Sequence, residues 1–184
     1  MRILLPIMIL VVGMACNQPN EPPSQSSTPD IASGEYQLPV FSEREMWERT
    51  AYIWTLTFGL YLEEMMGQGL TASEGGQRTA EMLAAGWSGS DTPVALFNGM
   101  YRNWSMTPGN NCEVMEATDL VVRARCNRPY LGYFEQDGGE LYGLSAEEFE
   151  ASNLSFNSTI AASVGLEWSQ ELEGDNFSIT ISKN

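Results

Sequence analysis

Two cysteines bracket the segment that most restricts the fold of this chain, CEVMEATDLVVRARC, which runs from Cys112 to Cys126. Both halves of the segment are rich in strand-forming residues, and Ala117-Thr118-Asp119 separates them, so the pattern predicts a β-hairpin. A hairpin centred on Asp119 places Cys112 directly opposite Cys126, where Cβ atoms lie about 4.5 to 5.5 Å apart. A small local adjustment then permits a disulfide. Two separately buried thiols are the alternative.

The third cysteine, Cys16, lies at a sharp change in composition. It ends the segment MRILLPIMILVVGMAC and precedes the polar segment NQPNEPPSQSSTPD. The apolar run from Ile3 to Val12 behind Arg2 is typical of a signal-peptide core, and it is far shorter than the roughly 20 residues that cross a bilayer. We therefore expect residues 1–15 to be a signal peptide.

The residues before Cys16 fit two kinds of processing. Gly13 and Ala15 are small residues at positions that ordinary signal peptidase accepts, which would give a secreted protein. The junction also resembles a bacterial lipoprotein signal, although that pattern usually has a branched apolar residue in place of Gly13. The resemblance implies lipidation of Cys16 and an extracytoplasmic domain anchored to a bacterial membrane, either facing the periplasm from the outer membrane or on the cell surface. An uncleaved signal anchor is a third alternative.

Lipidation of Cys16 agrees with the cysteine count. The chain has three cysteines, and an unmodified exposed thiol is unfavourable in an oxidising compartment. Acylation of Cys16 would leave Cys112 and Cys126 as a pair. Residues 16–40 are rich in Pro, Ser, Asn and Gln with few apolar groups, so we expect a disordered tether. Residues 41–184 have the size of a single domain with one core.

Charge and composition exclude several functions. The chain has 9 basic and 24 acidic residues and a net charge of −15, so we expect no nucleic-acid partner. It contains no histidine, which excludes Ser-His-Asp catalysis and histidine-bound zinc or haem. A disulfide would also remove Cys112 and Cys126 from thiol chemistry. We predict no cofactor and no metal site; any catalysis would depend on carboxylates, tyrosines or an oxygen-bound metal.

Helix-start signals divide the domain. Ser42-Glu43-Arg44-Glu45, Thr71-Ala72-Ser73-Glu74 and Ser145-Ala146-Glu147-Glu148 are capping boxes, and Asp91-Thr92-Pro93 is a cap followed by proline. They predict helices that end at Met66, at Ala85, before Thr107 and near Gly165. The segment LEWSQELEGDNFSITIS predicts a second hairpin that turns at Glu173-Gly174-Asp175. The fold class is therefore α+β, with a mainly antiparallel sheet of two hairpins packed against about four helices.

The first helix carries large apolar residues at steps of three and four. They are Trp47, Ala51, Trp54, Phe58, Tyr61 and Met65. Such a stripe usually packs in a core; an aromatic ligand site is the alternative. The third helix carries a similar set that includes Met100 and Trp104.

Several segments resemble the 4-vinyl reductase type of ligand-binding domain, and in particular the L-2-amino-thiazoline-4-carboxylic acid hydrolase-like group. They are RCNRPY, YGLSAEEFE, GLEWSQELEGDNFSITI and the opening SEREMWERTAYIWTLTFGLYLEEM. The resemblance implies an α+β fold, a small-molecule pocket between sheet and helices, and self-association as a homodimer. Cysteines that such proteins often carry on the fourth helix are absent here, where the chain reads Ala151-Ser152-Asn153-Leu154-Ser155. No catalytic residue is therefore assigned.

Three functions follow from the sequence. The first is a non-catalytic, membrane-anchored module that binds a small, largely apolar molecule or a partner protein. Its expected binding residues are Trp54, Phe58, Tyr61, Glu64, Met100 and Tyr130. The second is a hydrolase of the thiazoline or amide type, which needs Glu64 and Glu135 to converge in a cleft. The third is a structural or assembly lipoprotein without a pocket.

Overall fold

The computed structural model describes residues 41–183. The predicted signal peptide (1–15), the lipidated Cys16 and the tether (16–40) lie outside the described residues, so these three predictions stay as predictions.

Five α-helices form in the described part of the chain. They are α1 (Glu43–Gly67), α2 (Ala72–Leu83), α3 (Pro93–Trp104), α4 (Leu131–Gln136) and α5 (Ala146–Ser163), and a 3₁₀ turn at Ala84–Trp87 extends α2. The capping boxes predicted at Ser42, Thr71 and Ser145 are all present, each with its side chain accepting from the third helical N–H. No helix in residues 41–183 is long and apolar enough to cross a membrane.

Both predicted hairpins form, and they join into one sheet. The first pairs β1 (Cys112–Ala117) with β2 (Val121–Asn127), and the second pairs β5 (Leu166–Glu173) with β6 (Asn176–Lys183). Strands β2 and β6 pair with each other, so the antiparallel order is β1-β2-β6-β5. The predicted α+β class is confirmed. The structure adds α4 and a short hairpin, β3 (Glu140–Leu141) with β4 (Leu144–Ser145), in a stretch that the sequence pattern left irregular.

The first hairpin has the predicted register at its open end. Cys112 pairs with Cys126 and Val114 with Ala124, and a bulge after Val114 shifts the pairs nearer the turn. A disulfide joins the two cysteines, whose Cα atoms are 4.1 Å apart. The covalent link therefore closes β1 onto β2 at the end of the hairpin remote from its turn.

The sheet buries one face. Phe177, Ile179 and Ile181 on β6 alternate with half-exposed polar residues, and Val122 and Ala124 on β2 lie on the same side, because directly paired residues share a face. Helices α3 and α5 cover this side with a core whose central members are Leu96, Met100 and Ile160. The other side presents arginines and glutamates to solvent.

The buried face of helix α1 differs from the core stripe that the sequence predicts. Its buried residues are Ala51, Thr55, Gly59, Leu62 and Met65, which pack towards a second core that includes Phe134, Leu141, Leu144 and Phe149. Of the predicted core stripe, Ala51 and Met65 are buried and Phe58 packs against this core, but Trp47 and Trp54 are 47% and 60% exposed. The two tryptophans thus lie off the buried face, on which Gly59 is placed next to Leu141 and Leu144 of β3 and β4.

Candidate ligand-binding cavity

A cavity of about 610 Å³ lies between α1, α3, α5 and the covered face of the sheet. Aromatic side chains from every one of these elements line it: Trp54, Phe58, Tyr61, Trp104, Phe156 and Phe177. Edge-to-face contacts support this wall, with ring centroids 5.6 Å apart for Trp104 and Phe177 and 5.7 Å apart for Phe58 and Phe149. These contacts hold Phe58, Trp104 and Phe177 in place, and an aromatic wall of this kind suits an apolar ligand.

One carboxylate lies among these aromatic side chains. Glu150 on α5 lines the cavity and is only 5% exposed. Its Oε1 atom accepts from Nε of Arg128 at 2.7 Å and from the hydroxyl of Tyr130. Its Oε2 atom accepts no hydrogen bond from any described residue. The carboxylate therefore has its charge compensated on one side and an acceptor atom without a protein partner on the other.

Two hydrogen bonds to backbone carbonyls hold Arg128 in place. Its Nη1 donates to the carbonyl of Gly174 at 2.6 Å, and its backbone N–H donates to the carbonyl of Asp175 at 2.9 Å. Both acceptors belong to the turn between β5 and β6. The guanidinium is therefore tied to the end of the sheet and holds Glu150 in one orientation.

Burial and mutual contacts set the pKa values of Tyr130 and Arg128. Burial raises the pKa of Tyr130, and the charge of Glu150 and the hydrogen bond to it raise that pKa further. Burial would lower the pKa of Arg128, but its interactions with Tyr130 and Glu150 raise this pKa overall. At neutral pH Tyr130 is thus an uncharged donor and Arg128 a cation.

Two amide side chains extend the polar part of the cavity. The side-chain oxygens of Gln170 and Asn110 are buried without a hydrogen-bond partner, and both residues line the cavity. Gln170 pairs with Ile179, which places it on the helix-covered face of the sheet. Buried polar atoms are normally hydrogen-bonded. These two groups have bonding capacity that the described residues do not satisfy.

The structure brings five of the six sequence-predicted binding residues together. Trp54, Phe58, Tyr61, Met100 and Tyr130 all line the cavity. Glu64 does not: it is exposed, and its Oε1 accepts from Nε2 of Gln68 at 3.0 Å.

The two acids required by the hydrolase hypothesis are both on the surface. Glu135, in the last turn of α4, is exposed like Glu64, and neither residue lines the cavity. The convergence of these carboxylates in a cleft, which the hydrolase hypothesis requires, is therefore not found. Within residues 41–183, no group of three or more acidic or cysteine side chains is arranged to hold a metal ion.

Sequence reasoning missed Glu150, Arg128 and Gln170. A signal for the first was present, because Glu150, Asn153 and Asn157 recur at steps of three and four like one face of a helix. Such a polar stripe normally indicates the solvent side. Here all three residues line the cavity, and Glu150 and Asn157 are buried.

The similarity of this chain to known proteins is weak. No family model and no curated protein matches the chain. Among solved structures, a mutant H-NOX protein from K. algicida in the Fe(II) unliganded form is similar, with 12% identity and a TM-score of 0.38 over 83% of this chain and 80% of that chain. This likeness is too distant to support an argument about the site.

Proposed function

We propose that this protein is a membrane-anchored extracytoplasmic binding module that holds a small, largely apolar molecule without transforming it. The observation that carries the proposal is the cavity of about 610 Å³ walled by aromatic side chains. Small-molecule sites have volumes of about 300 to 1,000 Å³, with apolar walls and a few placed polar groups. The cavity has all of these properties.

The location in the proposal is supported by the sequence. The apolar segment before Cys16 is typical of an export signal, and acylation of Cys16 would attach the chain to a membrane. The Pro- and Ser-rich segment that follows, residues 16–40, would hold the binding domain away from the lipid surface.

The cavity favours binding over hydrolysis. Among the described residues that line it, Glu150 is the one acid, and Arg128 already compensates that carboxylate. General acid and base catalysis by carboxylates needs two groups in reach of one reacting bond. A structural lipoprotein without a pocket is also not favoured, because a cavity of this size lies within the domain.

Intrinsic fluorescence tests the proposal. The chain has five tryptophans, and two of them, Trp54 and Trp104, line the cavity. A panel of non-fluorescent apolar molecules, both aliphatic and monocyclic aromatic, should include members that change the tryptophan emission saturably. The absence of any saturable change across the panel, with unchanged melting temperatures, would contradict the proposal.

A matched pair of variants locates the binding. Trp54 and Trp47 lie two helical turns apart on α1 and are both about half exposed. Trp47 does not line the cavity, although its Nε1 donates to the carbonyl of Met106, which does. Trp54→Phe should therefore reduce the ligand-dependent signal more than Trp47→Phe, and equal loss in the two variants would contradict a site walled by Trp54.

A further inference from the structure

Three oxygen atoms in the cavity lack a hydrogen-bond partner among the described residues. They are Oε2 of Glu150 and the side-chain oxygens of Gln170 and Asn110. The two donors that contact Glu150 are already engaged: Arg128 donates to Glu150 and Gly174, and Tyr130 donates to Glu150. Amide N–H₂ groups such as that of Asn157 also belong to the lining, so it is at Glu150 that the cavity offers an acceptor to a ligand.

We infer that the ligand is an uncharged molecule that donates a hydrogen bond from a hydroxyl or N–H group to Oε2 of Glu150, with its apolar body against the aromatic wall. This inference rests on the proposed binding function and specifies the class of ligand. Glu150 is 5% exposed as a residue, and a donor at Oε2 would give a partner to a carboxylate oxygen that has none in the described residues; hydrogen bonds to charged groups are among the stronger ones.

The buried ion pair between Arg128 and Glu150 favours an uncharged ligand. Glu150 and Arg128 are 6% and 11% exposed and compensate each other at 2.7 Å. A ligand carboxylate at Oε2 would meet the Glu150 carboxylate, which repels it. A ligand ammonium would leave an uncompensated positive charge in a site that already contains the Arg128 cation, and uncompensated buried charge is unfavourable.

Gln170 is a second residue that favours a hydrogen-bond donor on the ligand. Its neighbours on the covered face of the sheet include Ile179, which is 2% exposed. A polar side chain at this position with a buried oxygen and no partner in the described residues costs free energy in the absence of a ligand. A donor group bound in the cavity would offset that cost.

Four probes with one ring system test the inference by isothermal titration calorimetry at pH 7. They are 2-naphthol, 2-methylnaphthalene, 2-naphthoate and 2-naphthylmethylamine, which present a neutral donor, a methyl group of similar size, an anion and a cation. A purely apolar cavity prefers the methyl compound, because it is the more hydrophobic. We expect 2-naphthol to bind about tenfold more tightly than 2-methylnaphthalene, and more tightly than the two ions.

Two variants assign the preference to named atoms. Glu150→Gln keeps the shape but turns an N–H₂ group towards the cavity, since the side-chain oxygen stays with Arg128 and Tyr130; the tenfold ratio should fall to about one. Gln170→Met changes no charge and should keep the ratio, because the single O–H of 2-naphthol is donated to Glu150. If Glu150→Gln does not fold, a tenfold ratio that Gln170→Met leaves unchanged supports the inference, and a ratio that falls to about one in Gln170→Met assigns the acceptor to Gln170 and overturns it.

The outcomes separate the inference from the function on which it rests. Equal or tighter binding of 2-methylnaphthalene overturns the donor inference and leaves the binding function standing. Tightest binding of 2-naphthoate or 2-naphthylmethylamine overturns the statement that the ligand is uncharged. No binding of any probe overturns the inference, and the fluorescence panel reports separately whether the binding function fails with it.

Discussion

Nε of Arg128 donates to Oε1 of Glu150 over 2.7 Å, and this ion pair joins the end of β2 to the first half of α5 in the interior of the domain. A buried pair is costly to break, because removal of one partner leaves the other charge buried without compensation. Loss of this pair should therefore lower the free energy of unfolding more than loss of an exposed pair, although the N–O distances of the pairs are similar.

Arg128→Gln should lower the free energy of unfolding by about 3 to 5 kcal/mol, measured by urea denaturation at pH 7. The matched control is Arg44→Gln, which breaks a pair of 2.8 Å with Glu48 on the surface of α1, where Arg44 is 83% exposed. Exposed pairs contribute little, so this control should unfold with the wild type. Similar losses in the two variants would contradict the assignment of Arg128 to the interior.

Reduction of the disulfide should destabilise the domain by about 3 kcal/mol in the chain-entropy model for a loop of this length. The cysteines are 14 positions apart. Urea denaturation of the wild type with and without dithiothreitol measures the loss, and a variant with Cys112→Ser and Cys126→Ser should show no dependence on the reductant. Thiol labelling of the denatured, unreduced domain should find Cys112 and Cys126 blocked.

Gly76 should not tolerate alanine. A Cβ atom at Gly76 would lie within 2.8 Å of the carbonyl carbon of Ser152 on α5, and backbone cannot rotate away as a side chain does. Helix propensity alone would make Gly76→Ala stabilising, but we expect a loss of about 1 to 3 kcal/mol from overpacking. Gly132→Ala in α4 is the control, because a Cβ there meets nothing within 4 Å; it should be neutral or slightly stabilising in thermal unfolding.

Tyr130 makes the domain sensitive to alkaline pH. Because burial raises its pKa in the folded state, the unfolded state loses the Tyr130 proton first, and stability falls as the pH rises above the unfolded value of about 10. Below a pH of about 10, Tyr130 is protonated in both the folded and the unfolded state, so its titration does not reduce stability. Tyr52 and Tyr133, whose pKa values burial also raises, act in the same direction.

The measurement is the melting temperature between pH 8 and pH 11. Tyr130→Phe should give a shallower decline above pH 10 than the wild type, although its melting temperature at pH 8 should be lower because the hydrogen bond to Glu150 is lost. An unchanged decline would show that Tyr130 does not titrate differently in the two states.

Local sequence signals predicted the regular elements well. Each capping box marks a helix start in the structure because the interaction is made within four residues and needs no tertiary context. The cysteine hairpin and the final hairpin were predictable for a similar reason, since period-two alternation and turn residues are local. Their union through β2 and β6 is a long-range event that no local pattern specifies.

The elements that were missed lack such signals. Helix α4 has six residues and no side-chain hydrogen bond at its N-cap, Tyr130. The β3–β4 hairpin turns at Tyr142, a non-glycine residue at φ 53, instead of at the Asn-Gly pair that usually marks such a turn.

The candidate site could be predicted only in its apolar part. Five aromatic and methionine positions were found because large apolar residues at helical spacing are conspicuous. Glu150 and Gln170 were not, because a charged or amide residue in a helix or strand normally faces solvent. Their inward placement depends on which face of α5 and of β5 meets the rest of the domain, and that is decided by packing.

The disulfide restrains two segments that support the candidate site. Cys126 stands two positions before Arg128, and Asn127 between them donates from Nδ2 to the carbonyl of Gly109 and accepts from the N–H of Asn111 at 2.7 Å each. One covalent bond thus restrains the chain that carries Arg128, the support of Glu150, and the loop that carries Asn110. Loss of this bond would therefore loosen two parts of the cavity wall that are far apart in sequence, although neither cysteine belongs to the lining.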